Sequence, residues 1–191
     1  MSEVDKAPDD AVRKRARLVE IVADKSLITG GDFTLASGRQ STVFFDMKMT
    51  LLDPEGANLT ADLILDMIAD TPAGAIGGTV LGACPIVDAV CVKSWPARPI
   101  AAFYVRKEPK ARGTRKLIEG PLADGATVVL VEDVTTSGGS VLRAVAAARA
   151  QGCTVAEVIT VVDRLQGAGD RLARHDVPFR AIFTRDDFLD G

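Results

Sequence analysis

A chain of 191 residues, 47% hydrophobic and 26% charged, has the make-up of one soluble globular domain, large enough to bury a core without metal or disulfide support. Its net charge of −3 leaves no general footprint for nucleic acid, its apolar runs are too short for a membrane span, and the polar, mixed-charge Met1–Lys14 is neither a signal peptide nor a basic transit peptide. Three scattered cysteines (Cys84, Cys91, Cys153) without a CxxC pair, beside the single His175, argue against a disulfide framework and a zinc site, so a cytoplasmic location is expected.

In chain order, Val12, Ala16, Val19 and Ala23 recur at helical spacing and predict an amphipathic helix over Asp9–Lys25. Gly30-Gly31 breaks the pattern, and Phe33–Leu35 and Val43–Asp46 read as short strands around the turn at Ser37-Gly38. Asp53-Pro54-Glu55 opens a helix that runs through Ala69, the aspartate as cap and the proline in the first turn. From there strands and helices alternate: strand Ala75–Val80, helix Pro85–Ser94, strand Pro99–Val105, strand Thr127–Glu132, helix Ser140–Gln151, strand Val155–Asp163, helix Ala168–His175 and strand Phe179–Phe183. Apolar strands alternating with helices predict an α/β fold, a parallel sheet covered on both faces. The whole chain, 1–191, is expected to form one domain, with an N-terminal helix and hairpin hood over 1–52 and the α/β core over 53–191.

Ligands of such sheets bind beyond the carboxyl ends of the strands, which here means the segments after Val80, Val105, Glu132 and Asp163. The third carries the clearest chemistry. Val128–Val131 is a buried strand, Glu132 and Asp133 end it, and Thr135-Thr136-Ser137-Gly138-Gly139-Ser140 leads straight into a helix. Glycines let backbone N–H groups approach a ligand, hydroxyls add donors, and the helix start adds partial positive charge, so the loop is suited to cradle one phosphate. It is neither a Walker loop nor GxGxxG. The two acids suit ribose hydroxyls, directly or through a hydrated magnesium ion. After Val105, six cations (Arg106, Lys107, Lys110, Arg112, Arg115, Lys116) stand against the lone acid Glu108; this is either a solvated basic loop or the meeting place of a local polyanion.

Val131–Ser140 resembles the phosphoribosyl pyrophosphate (PRPP) motif of type I phosphoribosyltransferases. Three further segments are similar to orotate phosphoribosyltransferases in particular. Phe33–Ser41 with Phe44-Phe45-Asp46 resembles that family's N-terminal hairpin, Val105–Lys110 the start of its mobile catalytic loop, which runs on to Ile118-Glu119-Gly120, and Val162-Asp163-Arg164 the strand end with its orotate-binding arginine. Gly77–Pro85 matches one branch of the family. The resemblance implies a type I fold and the reaction of orotate with PRPP to give orotidine 5′-monophosphate and pyrophosphate, with Mg²⁺ as cofactor. It assigns the 5′-phosphate to Thr135, Thr136, Ser137, Gly138, Gly139 and Ser140, with Val134 beside them, and the ribose to Glu132 and Asp133, the latter a possible magnesium contact through water. Pyrophosphate and catalysis fall to Arg106, Lys107, Lys110 and Arg112, and orotate to Arg164, Thr136, Phe44 and Phe45, whose rings are equally explained as core aromatics. It also implies a homodimer that shares the 106–116 loop between subunits, the loop closing over substrate with Gly113 and Gly120 permitting the movement.

Two positions depart from the family pattern. Arg112 stands where the family has a loop histidine; arginine keeps its charge but cannot donate a proton near neutral pH. Ala36 replaces a common hairpin lysine, with Arg39 a partial substitute. A phosphoribosyltransferase for another base, or a PRPP-binding regulator without catalysis, are the alternatives. Of the remaining residues, Cys84 and Cys91 are expected in the core, His175 at a helix end, and Trp95 at the surface or an interface.

Overall fold

The computed structural model describes residues 7–34, 40–108 and 116–189, the side chains of the first three excepted. Six strands form the central sheet: β3 (Ala75–Thr79), β4 (Ala101–Val105), β5 (Ile118–Glu119), β6 (Thr127–Thr135), β7 (Thr154–Asp163) and β8 (Phe179–Thr184). Their order is β5-β4-β3-β6-β7-β8, parallel throughout except for the two-residue edge strand β5, which pairs antiparallel with β4. That edge strand is not foreseen in the sequence, since two residues carry no periodicity.

The central strands are buried on both faces, as their near-continuous apolar runs require. Alternation on β6 divides the core. Val128 and Leu130 face a layer with Val141, Ala144 and Val145 of α5 (Gly139–Ala150), and Leu172 of α6 (Ala168–Ala173) joins it. Val129 and Val131 belong to the other layer, with Ile64 of α3 (Pro54–Met67) and Ile86, Val87 and Val90 of α4 (Cys84–Ser94). The α3 helix starts where expected, because Asp53 accepts hydrogen bonds from the Glu55 and Gly56 N–H groups and Pro54 fills the first position. Those three α4 residues occupy its core-facing positions, so Cys84 and Cys91 lie on the flank, half-buried, contrary to expectation; only Cys153 is buried.

The N-terminal residues belong to the same core. Leu18 and Val22 of α1 (Ala7–Lys25), Phe45 at the end of the hairpin, and Met47 and Leu51 around the short α2 (Lys48–Leu51) pack in the α3–α4 layer. The hairpin itself differs from its predicted form. β1 begins at Leu27 and runs through Gly30-Gly31 to Thr34, paired with β2 (Gln40–Phe45). The glycines mark a register shift between Thr29 and Phe33 within the strand, which is how a Gly pair inside a strand pattern is accommodated. A closing 3-10 turn, Arg185–Phe188, follows β8, and Arg15 of α1 binds it through Asp187 at 2.6 Å while lying over the Phe183 ring. No helix among the described residues is long and apolar enough to cross a membrane.

Candidate active site

The strand order sets the place. From β3 the chain moves outward to β4 and β5, and from β6 it moves the other way to β7 and β8, so the direction of winding reverses between β3 and β6. At such a switch point the two following loops separate and leave a crevice. A cavity of about 550 Å³ occupies it, lined by Thr79–Gly82 after β3 and by Glu132 to Ser140 without interruption.

β6 continues past Glu132 and Asp133 to Thr135, so the acids sit within the strand rather than ending it. Glu132 is sunk into the protein at 7% exposed. Burial above all, then the charge of Asp133, pushes its carboxyl well above the ordinary range, against which a hydrogen bond with Ser140 works. Asp133 accepts from the Val134 N–H at 2.8 Å, and the missing side chain at Gly82 makes room for it: a Cβ there would lie 2.6 Å from the carboxylate. Gly138 then turns into α5 with φ of 73°, a left-handed conformation costing other residues ~1–2 kcal/mol. Four buried polar atoms lining the cavity have no partner among the described residues: Thr79 Oγ1, Glu132 Oε2, Thr135 Oγ1 and Arg164 Nε. Buried groups are ordinarily satisfied, so this concentration marks a surface shaped for an oxygen-rich ligand.

The other predicted residues divide. Arg164, 5% exposed, follows β7; its N–H bonds to the Thr135 carbonyl at 2.9 Å, and its Nη2 donates to Ser41 Oγ and to the Val43 carbonyl, both at 2.8 Å. Burial, with a smaller contribution from Arg185, lowers its proton affinity. Thr136, Phe44 and Phe45 line the cavity, Phe44 stacked on Phe33, while Phe45 is also a core ring packed edge-on to Phe188. Lys107 reaches the cavity. Arg106 does not line it; its guanidinium lies 3.8 Å from Glu119 and donates to the Glu108 carbonyl. Lys110, Arg112, Gly113, Arg115, Ala36 and Arg39 lie outside the described residues.

Two lining residues carry no motif signal: Lys48, which pairs with Asp46, and Arg143, whose Nη1 curls back onto the Gly139 carbonyl at 3.3 Å. Thr79 and Gly82 stand in the Gly77–Pro85 segment, but nothing in the sequence ties Gly82 to Asp133. No group of three or more potential metal ligands exists among the described residues. A metal here would therefore depend on oxygens from a ligand and from water, as Mg²⁺ characteristically does.

Comparison with known proteins decides the family. The phosphoribosyl transferase domain matches residues 101–183. The orotate phosphoribosyltransferase of Bradyrhizobium sp. (strain BTAi1 / ATCC BAA-1182) is 45% identical over 180 residues, covering 92% of this chain and 97% of the relative. The chain belongs to the orotate phosphoribosyltransferase family. Solved structures of orotate phosphoribosyltransferases agree. That of Mycobacterium tuberculosis H37Rv in complex with PRPP superposes with a TM-score of 0.77 at 35% identity, covering 92% of this chain and 98% of the other. That of Aeropyrum pernix gives 0.78 at 32% identity, with 91% and 96% covered.

Proposed function

We propose that the protein is an orotate phosphoribosyltransferase of pyrimidine nucleotide synthesis: it transfers the 5-phosphoribosyl group of PRPP to N1 of orotate, giving orotidine 5′-monophosphate and releasing pyrophosphate. The observation that carries this reading is the pairing, in one crevice, of a phosphate loop preceded by two acids with a buried, preorganised arginine across from it. A neutral purine would leave that guanidinium charge unmatched.

The bond from the ribose anomeric carbon to pyrophosphate breaks as N1 attacks. Positive charge grows on the ribose and negative charge on the leaving group, so catalysis is positioning plus electrostatics. Backbone N–H groups and hydroxyls of Thr135–Ser140 hold the 5′-phosphate at the start of α5. Glu132 and Asp133 take the ribose hydroxyls; burial favours the neutral form of Glu132, which can donate as well as accept. Lys107 with Lys110 and Arg112 neutralises the diphosphate, and Arg106 joins them by leaving Glu119, the loop excluding water as it closes. Arg164 pairs with the orotate carboxylate through the donors left free by its bonds to Ser41 and Val43. Thr136 and the backbone at Phe44-Phe45 border the pyrimidine. Mg²⁺ fits this set as an ion carried mainly by PRPP and water with Asp133 nearby, and when bound it supplies charge neutralisation at the diphosphate. Exposed Val92 and Trp95 support a homodimer; in this reading the 106–116 loop is shared between subunits and the protein works in the cytoplasm.

The test is to mix the protein with PRPP, Mg²⁺ and orotate and follow the ultraviolet absorbance of orotate, with uracil and adenine as competitors. Orotate-selective, PRPP-dependent loss of absorbance is expected. PRPP binding without orotate consumption would instead mean a non-catalytic PRPP-binding protein, and consumption of adenine another transferase.

A further inference from the structure

Among the described residues, four cations line the crevice: Lys48, Lys107, Arg143 and Arg164. In the proposed reaction Lys107 serves the diphosphate and Arg164 the orotate carboxylate, while Arg143 lies beside the phosphate loop with its Nη1 on the Gly139 carbonyl. Lys48 is left without a task. It opens α2 three residues after Phe45, so it enters the crevice beside the hairpin end that borders the pyrimidine. Its partner is Asp46, 2.5 Å away but outside hydrogen-bond geometry, for Asp46 Oδ1 makes no hydrogen bond among the described residues. The Lys48 side chain is 49% exposed, and an ion pair so open to water is weak. A hydrogen-bond acceptor on a bound ligand can therefore draw the ammonium away from Asp46.

We infer that Lys48 is a specificity-determining residue that donates to the carbonyl oxygens of the pyrimidine ring. The inference rests on the reading that the base lies between Arg164 and Phe44-Phe45. Arg164 is tied to the chain at Ser41 and Val43, just before that aromatic pair, and Lys48 follows just after it, so the two cations flank the pair. With its carboxylate on Arg164, orotate turns the opposite edge of its ring away from the guanidinium, and that edge carries both carbonyl oxygens. An ammonium has three donors and no acceptor, so it matches a ring edge of oxygens and leaves an exocyclic amino group unpaired. Asp46 works against binding, because it attracts the ammonium and repels an anionic base. Lys48 and its partner thus pull the affinity for orotate in opposite directions.

The experiment compares steady-state kinetics of Lys48→Met, Lys48→Arg, Asp46→Asn and Arg164→Ala at varied orotate and varied PRPP, with melting curves as a check on folding. Uracil serves as an inhibitor that keeps the ring oxygens and lacks the carboxylate. Lys48→Met should raise KM for orotate about tenfold, as for one charge-assisted hydrogen bond in a partly solvated place, and weaken uracil by the same factor. KM for PRPP should hold, and Lys48→Arg should recover most of the loss. Asp46→Asn should lower KM for orotate about twofold, a change of sign that a merely structural clasp would not give. Wild-type orotate KM in Lys48→Met, a rise in KM for PRPP in its place, or weakening of orotate with uracil unchanged overturns the inference. So does Asp46→Asn if it weakens orotate as Lys48→Met does. If Arg164→Ala keeps wild-type orotate KM, the underlying reading of the base site fails instead; loss at Arg164 with no effect at Lys48 removes only the present inference.

Discussion

Replacing Gly82 with alanine tests whether the seat of Asp133 is built by an absent side chain. The added methyl carbon would stand 2.6 Å from Asp133 Cγ and both its oxygens, where ordinary contact begins at 3.4 Å. The carboxylate must therefore retreat by about 0.8 Å. It then stretches or loses the 2.8 Å hydrogen bond from the Val134 N–H, and a bond to a charged acceptor contributes ~1.5–3 kcal/mol. A displacement on the order of 1 Å near a reacting centre costs ~10²-fold in rate, so kcat/KM for PRPP should fall about a hundredfold. The φ of Gly82 is not in the left-handed region, so alanine fits the backbone. Full loss of that bond should lower the Tm by about 3–12 °C, and a stretched bond by less. Initial rates at varied PRPP and saturating orotate, with a melting curve alongside, measure both. The decisive arm is a double-mutant cycle: in an Asp133→Ala background the clash has no target, and Gly82→Ala should cost almost nothing. Additive losses, or wild-type PRPP kinetics in the single variant, would refute the reasoning.

Three other changes probe the charged groups. The folded-state pKa of Glu132 is raised, so its neutral form stabilises the fold fully below the unfolded value of ~4.3, and that contribution is lost as pH climbs through the higher folded value. Glu132→Gln should therefore raise the Tm of the substrate-free protein more at about pH 8 than at about pH 4.5, read by scanning fluorimetry; an equal shift at both contradicts the burial argument. Lys110→Ala should lower kcat about a hundredfold, equivalent to ~3 kcal/mol of transition-state charge stabilisation, with small changes in KM; an unchanged kcat removes Lys110 from the chemistry. Arg112 cannot donate a proton near neutrality, so Arg112→His should add a limb near pH ~6.5 to the kcat profile, whereas superimposable profiles mean that position 112 exchanges no proton in the reaction.

Much of this was legible before any coordinates. The apolar runs at Val128–Val131 and Val158–Val162 announce doubly covered strands, and the loop at Thr135–Ser140 names its ligand class because phosphate binding uses contiguous backbone. What the chain order hides is spatial. Nothing in one dimension says that the strand after Thr127 lies between β3 and β7, which is what creates the crevice. Lys48 and Arg143 reach the cavity from separate elements and belong to no local pattern. Arg106 looks equivalent to Lys107 in sequence, yet the two point apart, because adjacent residues leaving a strand face opposite sides and Glu119 on β5 meets the first of them. The hairpin reads shorter in sequence than in structure for a related reason: Gly30-Gly31 is a break in a propensity pattern but a bulge in a paired ladder.

Arg164 belongs to two systems at once. The guanidinium proposed to meet the base is also the rivet between the sheet and the hairpin, through Ser41 and Val43. Base recognition and the seating of the hairpin are therefore one equilibrium, and a ligand that grips Arg164 tightens the N-terminal segment as well. A change of base preference in this chain cannot be made at Arg164 alone: a replacement side chain that reads a different ring must also find a new way to fasten β2.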